Sequence, residues 1–241
     1  EIRDPAAPVS DAHATPRCVR SRHGESVWNG EQRSQGNQDP SLSPRGRRQA
    51  DLVAAHIRAR LPKRAAAIYT SPLRRAAETA ERIGRAVGLP VIPEPDLREM
   101  CLGTWEGMTV PEIQAAFPGS YEWWLADPLS HPAPGGENLE AFARRVTGAF
   151  DRMRAAHPGT DLILVSHGGA IKALVCHVLE LPIRSLFRIK QDNTAVNIVD
   201  VDEATRRVVL VNDTCHLAEA GTDLLPRDVL TDAGETADTA L

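Results

Sequence analysis

The sequence predicts an α/β fold: a three-layer α/β/α sandwich with a mostly parallel central sheet and an irregular insert forming a lid. Three observations lead there. Short apolar runs of strand length alternate with segments whose apolar residues recur every three or four positions, the pattern of strands joined by helical crossovers. Two of those runs, Cys18-Val19 and Leu162-Ile163-Leu164-Val165, are followed by a histidine at a glycine-containing turn, His23-Gly24 and His167-Gly168-Gly169. Finally, 241 residues with 42% hydrophobic and 25% charged content suit one domain of this class with a sizeable core.

Taken in order, Cys18-Val19 begin a strand that delivers Arg22 and His23 to a loop. Ser43-Pro44 then open a helix, with Ser as N-cap and Pro at the first helical position. Its residues Ala50, Val53, Ala54, Ile57 and Leu61 share one face. Ala67 to Thr70 read as a buried strand, and Ser71-Pro72 as the cap of a helix reaching Val87-Gly88. Leu89 to Ile92 form a third strand. A helix from Asn138 to Ala156 carries Leu139, Phe142, Val146, Phe150 and Met153 on one face and stops at Pro158-Gly159. Leu162–Val165 is strand, Ala170–Leu179 helix, and Ala195–Val201 and Val208–Val211 are strands. Residues 99–137, with Trp105, Trp123, Trp124 and Tyr121 among several Pro and Gly, fit no regular period and suit a lid over a sheet edge. Residues 1–16 read as a flexible leader and 219–241 as a C-terminal tail, leaving 17–218 as a single domain.

A net charge of −4 argues against nucleic acid or an anionic membrane surface as partner, and no apolar stretch approaches the roughly 20 residues of a membrane-spanning helix. The four cysteines are scattered without a Cys-x-x-Cys pair, which suits free thiols of a cytoplasmic protein and supplies no metal-binding spacing.

In a parallel sheet the loops at the strand carboxyl ends share one crevice. Arg22 beside His23 points to an anionic guest, phosphate above all. A neutral imidazole is nucleophilic near neutrality when its other nitrogen is held by a hydrogen bond. A phosphate dianion accepts a nucleophile only when its charge is offset, which the planar fork of arginine does best. Arg22, Arg74, Asn29, His167 and the Gly168 amide at a helix start are the candidate phosphate-binding groups. Glu99 is the candidate proton donor, because a carboxyl beside a bound dianion is favoured in its acid form. Asp39 and Glu137 lie in turn settings where loop-fixing is the simpler role. Arg75, Arg82 and Arg85 read as a solvated helix face.

The residues Arg22-His23-Gly24-Glu25-Ser26-x-Trp28-Asn29, Ser71-Pro72-Leu73-x-Arg75-Ala76, Leu97-Arg98-Glu99, Gly135-Gly136-Glu137 and Ser166-His167-Gly168-Gly169 together resemble the histidine phosphatase superfamily, also called phosphoglycerate mutase-like, on its phosphatase branch. The resemblance runs from about residue 18 to 217. It implies that 17–218 is a single histidine phosphatase domain, that His23 becomes a phosphohistidine, and that Arg22, Arg74, Asn29 and His167 hold the phosphate. It also implies that Glu99 donates the proton and that no metal or organic cofactor takes part. One departure stands out: Arg20-Ser21 intervene where the family usually runs an apolar strand directly into the Arg-His pair, and a buried Arg20 would need a partner.

The expected activity is hydrolysis of a small phosphomonoester, a sugar or polyol phosphate in which the alcohol stacks on Trp123 or Trp124. Mutase-type phosphotransfer and a catalytically silent phosphate-ligand-binding regulatory protein are the alternatives. Residues 100–143 contain no Lys or Arg and so supply no second anion site. A homodimer is left open.

Overall fold

The computed structural model describes residues 15–60, 65–202, 206–218 and 224. The expected leader, except residues 15 and 16, and the expected tail, except Leu224, lie outside the described residues.

Six strands form one sheet in the order β3-β2-β4-β1-β5-β6. They are β1 Arg17–Arg22, β2 Ala65–Thr70, β3 Val91–Pro93, β4 Asp161–Ser166, β5 Val196–Val201 and β6 Arg206–Asp213. The first four pair in parallel, whereas β5 runs antiparallel to both β1 and β6. The described helices are α1 Val27–Gly30, α2 Pro44–Arg60, α3 Arg74–Val87, α4 Val110–Ala116, α5 Ser120–Ala126, α6 Leu139–Ala156, α7 Gly168–Val178 and α8 Cys215–Ala218.

Central strand β4 is buried along its whole length, as a strand covered on both faces must be. Its alternate residues divide between two cores. Leu162 and Leu164 join Phe142, Val146 and Phe150 of α6 and Leu174 of α7. Ile163 and Val165 join Val53 and Ile57 of α2 and Ala76, Ala80 and Ile83 of α3 on the opposite face. The helical periodicities in the sequence are therefore those of the covering layers.

The caps explain most helix boundaries. Ser43 Oγ accepts from the Gly46 amide at 2.9 Å, and Asn138 Oδ1 accepts from the amides of Glu140 and Ala141. Two of the boundaries that differ from expectation have a visible local cause. Helix α3 begins at Arg74 after Leu73, which offers no side-chain cap, because Ser71 is drawn to a histidine described below. Strand β3 begins at Val91 rather than Leu89, since Gly88 adopts φ 76° and the amides of Gly88 and Leu89 fold back on the Gly84 carbonyl.

Arg20, in the middle of β1, is fully buried, and none of its guanidinium nitrogens has a hydrogen-bond partner among the described residues. It lies 6.0 Å from the Phe150 ring centroid, and burial holds its pKa below the ordinary arginine value.

Candidate active site at the strand carboxyl ends

The register Arg22↔Ser166 aligns the ends of β1 and β4, so the residues that follow, His23 and His167, emerge side by side. Their ring centroids are 5.1 Å apart at an interplanar angle of 61°. The His23 loop is packed hard against the first turn of α2. A Cβ on Gly24 would stand 2.4 Å from the Gly46 carbonyl oxygen, so no other residue fits there without moving backbone.

His23 Nδ1 lies 2.7 Å from the Gly24 carbonyl oxygen. A carbonyl can only accept, so Nδ1 carries the proton and Nε2 is left with its lone pair. Burial, then the charges of Arg75 and Arg22, hold the His23 pKa well below the ordinary imidazole range. The same causes, burial foremost, depress His167. Both rings are therefore neutral at neutral pH, and the positive charge of the site comes from elsewhere.

It comes from arginine. Arg22 donates from Nη1 to the Gln191 carbonyl, and its Nε is buried with no partner among the described residues. The second guanidinium corrects the sequence reading. Arg74 is exposed, and among the described residues only its backbone amide is engaged, by Asp39 Oδ1 at 2.6 Å. Arg75, expected on a solvated face, is instead 1% exposed and lines the cavity with Arg22 and His23. It donates to the carbonyls of Gln38 at 2.7 Å and Gly36 at 2.9 Å. Its Nε has no partner among the described residues, and burial pushes its pKa down to about 10, so it remains charged at neutral pH. The helix period carried the signal: Arg75 shares a face with buried Thr79, four residues on, whereas Arg74 aligns with the solvent-side Glu78.

His167 Nε2 lies 2.8 Å from Ser71 Oγ, and its Nδ1 is unpartnered among the described residues. Ser71 Oγ already accepts from the Leu73 amide, which leaves its own proton to donate to Nε2. That assignment puts the ring proton of His167 on Nδ1, the nitrogen free to donate. Asn29 lies beside this group rather than in the cavity wall: its Oδ1 accepts from Ser26 and from Asn193 Nδ2, and Asn193 also donates to the His23 carbonyl.

Glu99 lines the cavity and sits on the start of α7, where its Oε2 accepts from the Gly169 amide at 2.9 Å and its Oε1 from the Met100 amide at 2.9 Å. Gly169 is required for that seat, since a Cβ there would meet Glu99 Oε1 at 2.4 Å. Arg145 fixes the segment by donating to the carbonyls of Asp96, Arg98 and Glu99 while paired with Glu137 at 2.7 Å. Glu137 and Asp39 thus hold loops in place, as their turn settings suggested.

The cavity, of about 230 Å³, continues from these groups to Met100, Leu102, Trp124, Leu139, Phe142, Leu186 and Phe187. Residues 102–133 form a small separate core around Trp105, Ile113 and Ala133. Trp124 faces Phe187 edge-on at 5.1 Å, whereas Trp123 is 60% exposed and packs on His131, away from the cavity. The insert supplies no cation, but α7 does. Lys172 lines the cavity and forms no ion pair among the described residues; burial, then Arg22, lowers its pKa. Sequence reasoning passed over it because it sits inside an apolar helix that reads as core.

Residues 19–214 match the model of the histidine phosphatase superfamily (branch 1). The chain belongs to this family. It is 34% identical over 204 residues to phosphoserine phosphatase 1 of Hydrogenobacter thermophilus, covering 84% of this chain and 95% of that one. It is 35% identical to a probable phosphoglycerate mutase of Yersinia enterocolitica, over 86% of this chain and 97% of the other. Among solved structures, a mycobacterial glucosyl-3-phosphoglycerate phosphatase in complex with VO3 superposes with a TM-score of 0.75 at 31% identity, covering 83% of this chain and all of that one. No helix among the described residues is long and apolar enough to cross a membrane.

Proposed function

We propose that the chain is a phosphomonoesterase acting on a small phosphorylated metabolite through a phosphohistidine on His23. The observation that carries this reading is the neutral His23 ring. Its Nδ1–H is tied to the Gly24 carbonyl, and it shares one cavity with Arg22, Arg75 and Glu99. His23 Nε2 forms the bond to phosphorus as the ester P–O bond breaks, and the Glu99 carboxyl gives its proton to the departing alkoxide. The resulting carboxylate then takes a proton from water, whose oxygen displaces His23 and releases inorganic phosphate. Arg22, Arg75, the Nδ1–H of His167 and the Gly168 amide offset the charge on the transferring group, which is where most of the barrier is removed. Asn29, with its Oδ1 already occupied, has only its amide nitrogen to offer. No step of this scheme calls on a metal or an organic cofactor.

The three relatives are named for phosphoserine, phosphoglycerate and glucosyl-3-phosphoglycerate, each a phosphate joined to a carboxylic acid. Lys172, in the cavity with no ion partner among the described residues, fits an alcohol half with its own negative group better than a neutral polyol. Trp124 and Phe187 provide the apolar wall beside it.

Phosphate release from a panel of phosphomonoesters tests the proposal, together with rapid-quench trapping of an acid-labile phosphoprotein. Wild type should show both, and His23→Ala neither. Turnover of 3-phosphoglycerate with a bisphosphoglycerate primer that exceeds hydrolysis would make the protein a mutase. Absence of both labelling and hydrolysis would leave a binding protein.

A further inference from the structure

The sequence holds no recognisable metal-ligand spacing, yet the fold assembles a sulfur, a nitrogen and an oxygen donor far from the phosphate cavity. His56 projects from α2, Asp213 ends β6, and Cys215 opens α8. Cys215 Sγ stands 3.4 Å from Asp213 Oδ2 and 3.9 Å from His56 Nδ1, and His56 Nε2 stands 3.9 Å from the same Asp213 oxygen. One ligand atom from each lies within 4.8 Å of the others, at half-buried positions. We propose that His56, Asp213 and Cys215 bind a divalent transition metal of the zinc class.

The chemistry of the donors selects that class. Hard cations such as Ca²⁺ and Mg²⁺ want oxygen alone, whereas a thiolate with imidazole and one carboxylate suits Zn²⁺. Bond lengths of about 2.0–2.3 Å at tetrahedral angles put ligand atoms about 3.5 Å apart; one ion takes only one nitrogen of His56, and with one atom from each residue the three lie within 4.8 Å, so closing on an ion calls for side-chain shifts of up to about an ångström. His216 is 4% exposed, its Nδ1 has no partner among the described residues, and its ring centroid is 5.2 Å from that of His56. A water would complete a four-coordinate shell.

The site would act as a clip. It ties α8 to α2, and its neighbour His216 reaches Thr194 Oγ1 at 3.1 Å through Nε2. Thr194, held at φ 56°, donates its amide to the His23 carbonyl at 3.2 Å. The metal therefore braces the loop beneath His23 without entering the reaction, and the inference stands whatever the phosphate site hydrolyses. Binding exchanges the thiol proton of Cys215 for the metal and releases that proton to solvent, so affinity rises with pH.

Untagged full-length protein, stripped by chelator dialysis, is titrated with Zn²⁺ against a chromophoric chelator and separately with Co²⁺. One equivalent should bind, with a near-ultraviolet thiolate-to-Co²⁺ charge-transfer band and a Tm raised by several degrees at 100-fold excess over Kd. Cys215→Ser, a near-isosteric change, should abolish the band; Asp213→Asn should weaken binding about 10- to 100-fold; Cys101→Ser should change nothing. Absence of saturable binding at micromolar Zn²⁺, or an undiminished band in Cys215→Ser, overturns the proposal and leaves a hydrogen-bonded cluster. Folding of each variant is checked by its own phosphatase rate and circular dichroism.

Discussion

The two ends of the cavity are built by opposite means. At the phosphate end, strand termini and helix starts converge, backbone amides and carbonyls hold each side chain, and Gly24 and Gly169 permit contacts that no other residue could. At the other end the walls are Trp124, Phe187 and Leu186, drawn from an insert with its own small core and from a 3-10 turn. In the proposed reaction the first region would position atoms for a step common to many esters. The second would sort the alcohols, and loops that differ in length and sequence can do so without disturbing the first.

Substitutions at the rigid end should therefore lower kcat across all substrates, and those at the wall should alter KM selectively. The largest expected effect after loss of His23 belongs to Arg75→Lys, with kcat/KM reduced about 100- to 1,000-fold for every ester, because a point charge cannot replace the fork. Arg74→Lys should stay within about twofold; equal losses for the two would return the role to Arg74. Glu99→Gln should lower kcat about 100-fold for alkyl phosphates and much less for aryl phosphates, whose leaving groups need no proton. Uniform losses would move the acid elsewhere. Lys172→Gln should raise KM about 10-fold for phosphorylated carboxylic acids and leave neutral sugar phosphates nearly unchanged. If both classes shift together, the distinction between the two ends fails at this residue.

The smallest effect is on pH dependence. His23 and His167 titrate well below the ordinary imidazole value in the folded protein. Well above the unfolded imidazole pKa of about 6.5, from roughly pH 7.5 up, these rings are unprotonated whether folded or not, and stability is at its full level. Below that pH the unfolded chain takes up protons that the folded chain refuses, so stability should fall with pH by roughly 1 kcal/mol or more per unit. Denaturant midpoints at pH 7.5, 6.5 and 5.5 measure this. His167→Asn should shallow the slope, whereas an unchanged slope would place the titrating groups elsewhere.

Strand-helix alternation and the placement of Arg22, His23, Glu99 and His167 were legible because strand ends and helix periods are local signals. What escaped depends on contacts distant in sequence. Arg74 and Arg75 differ by one position and 100° of helix rotation, and only the packing of α3 decides which one enters. Ser71 reads as a helix cap until β4 brings His167 within 2.8 Å of its hydroxyl. His56, Asp213 and Cys215 have no shared spacing at all; α8 laid across α2 makes them neighbours. Lys172 was hidden for a different reason, since one cation inside an apolar helix is lost in a pattern that reads as core.

The site owes its charge to guanidinium groups, which keep it across the physiological pH range, rather than to its two imidazoles. Such a chamber grips liberated orthophosphate with the same groups that gripped the ester. Its throughput should therefore fall as free phosphate accumulates and rise as that pool is drawn down, which inhibition by added phosphate would show.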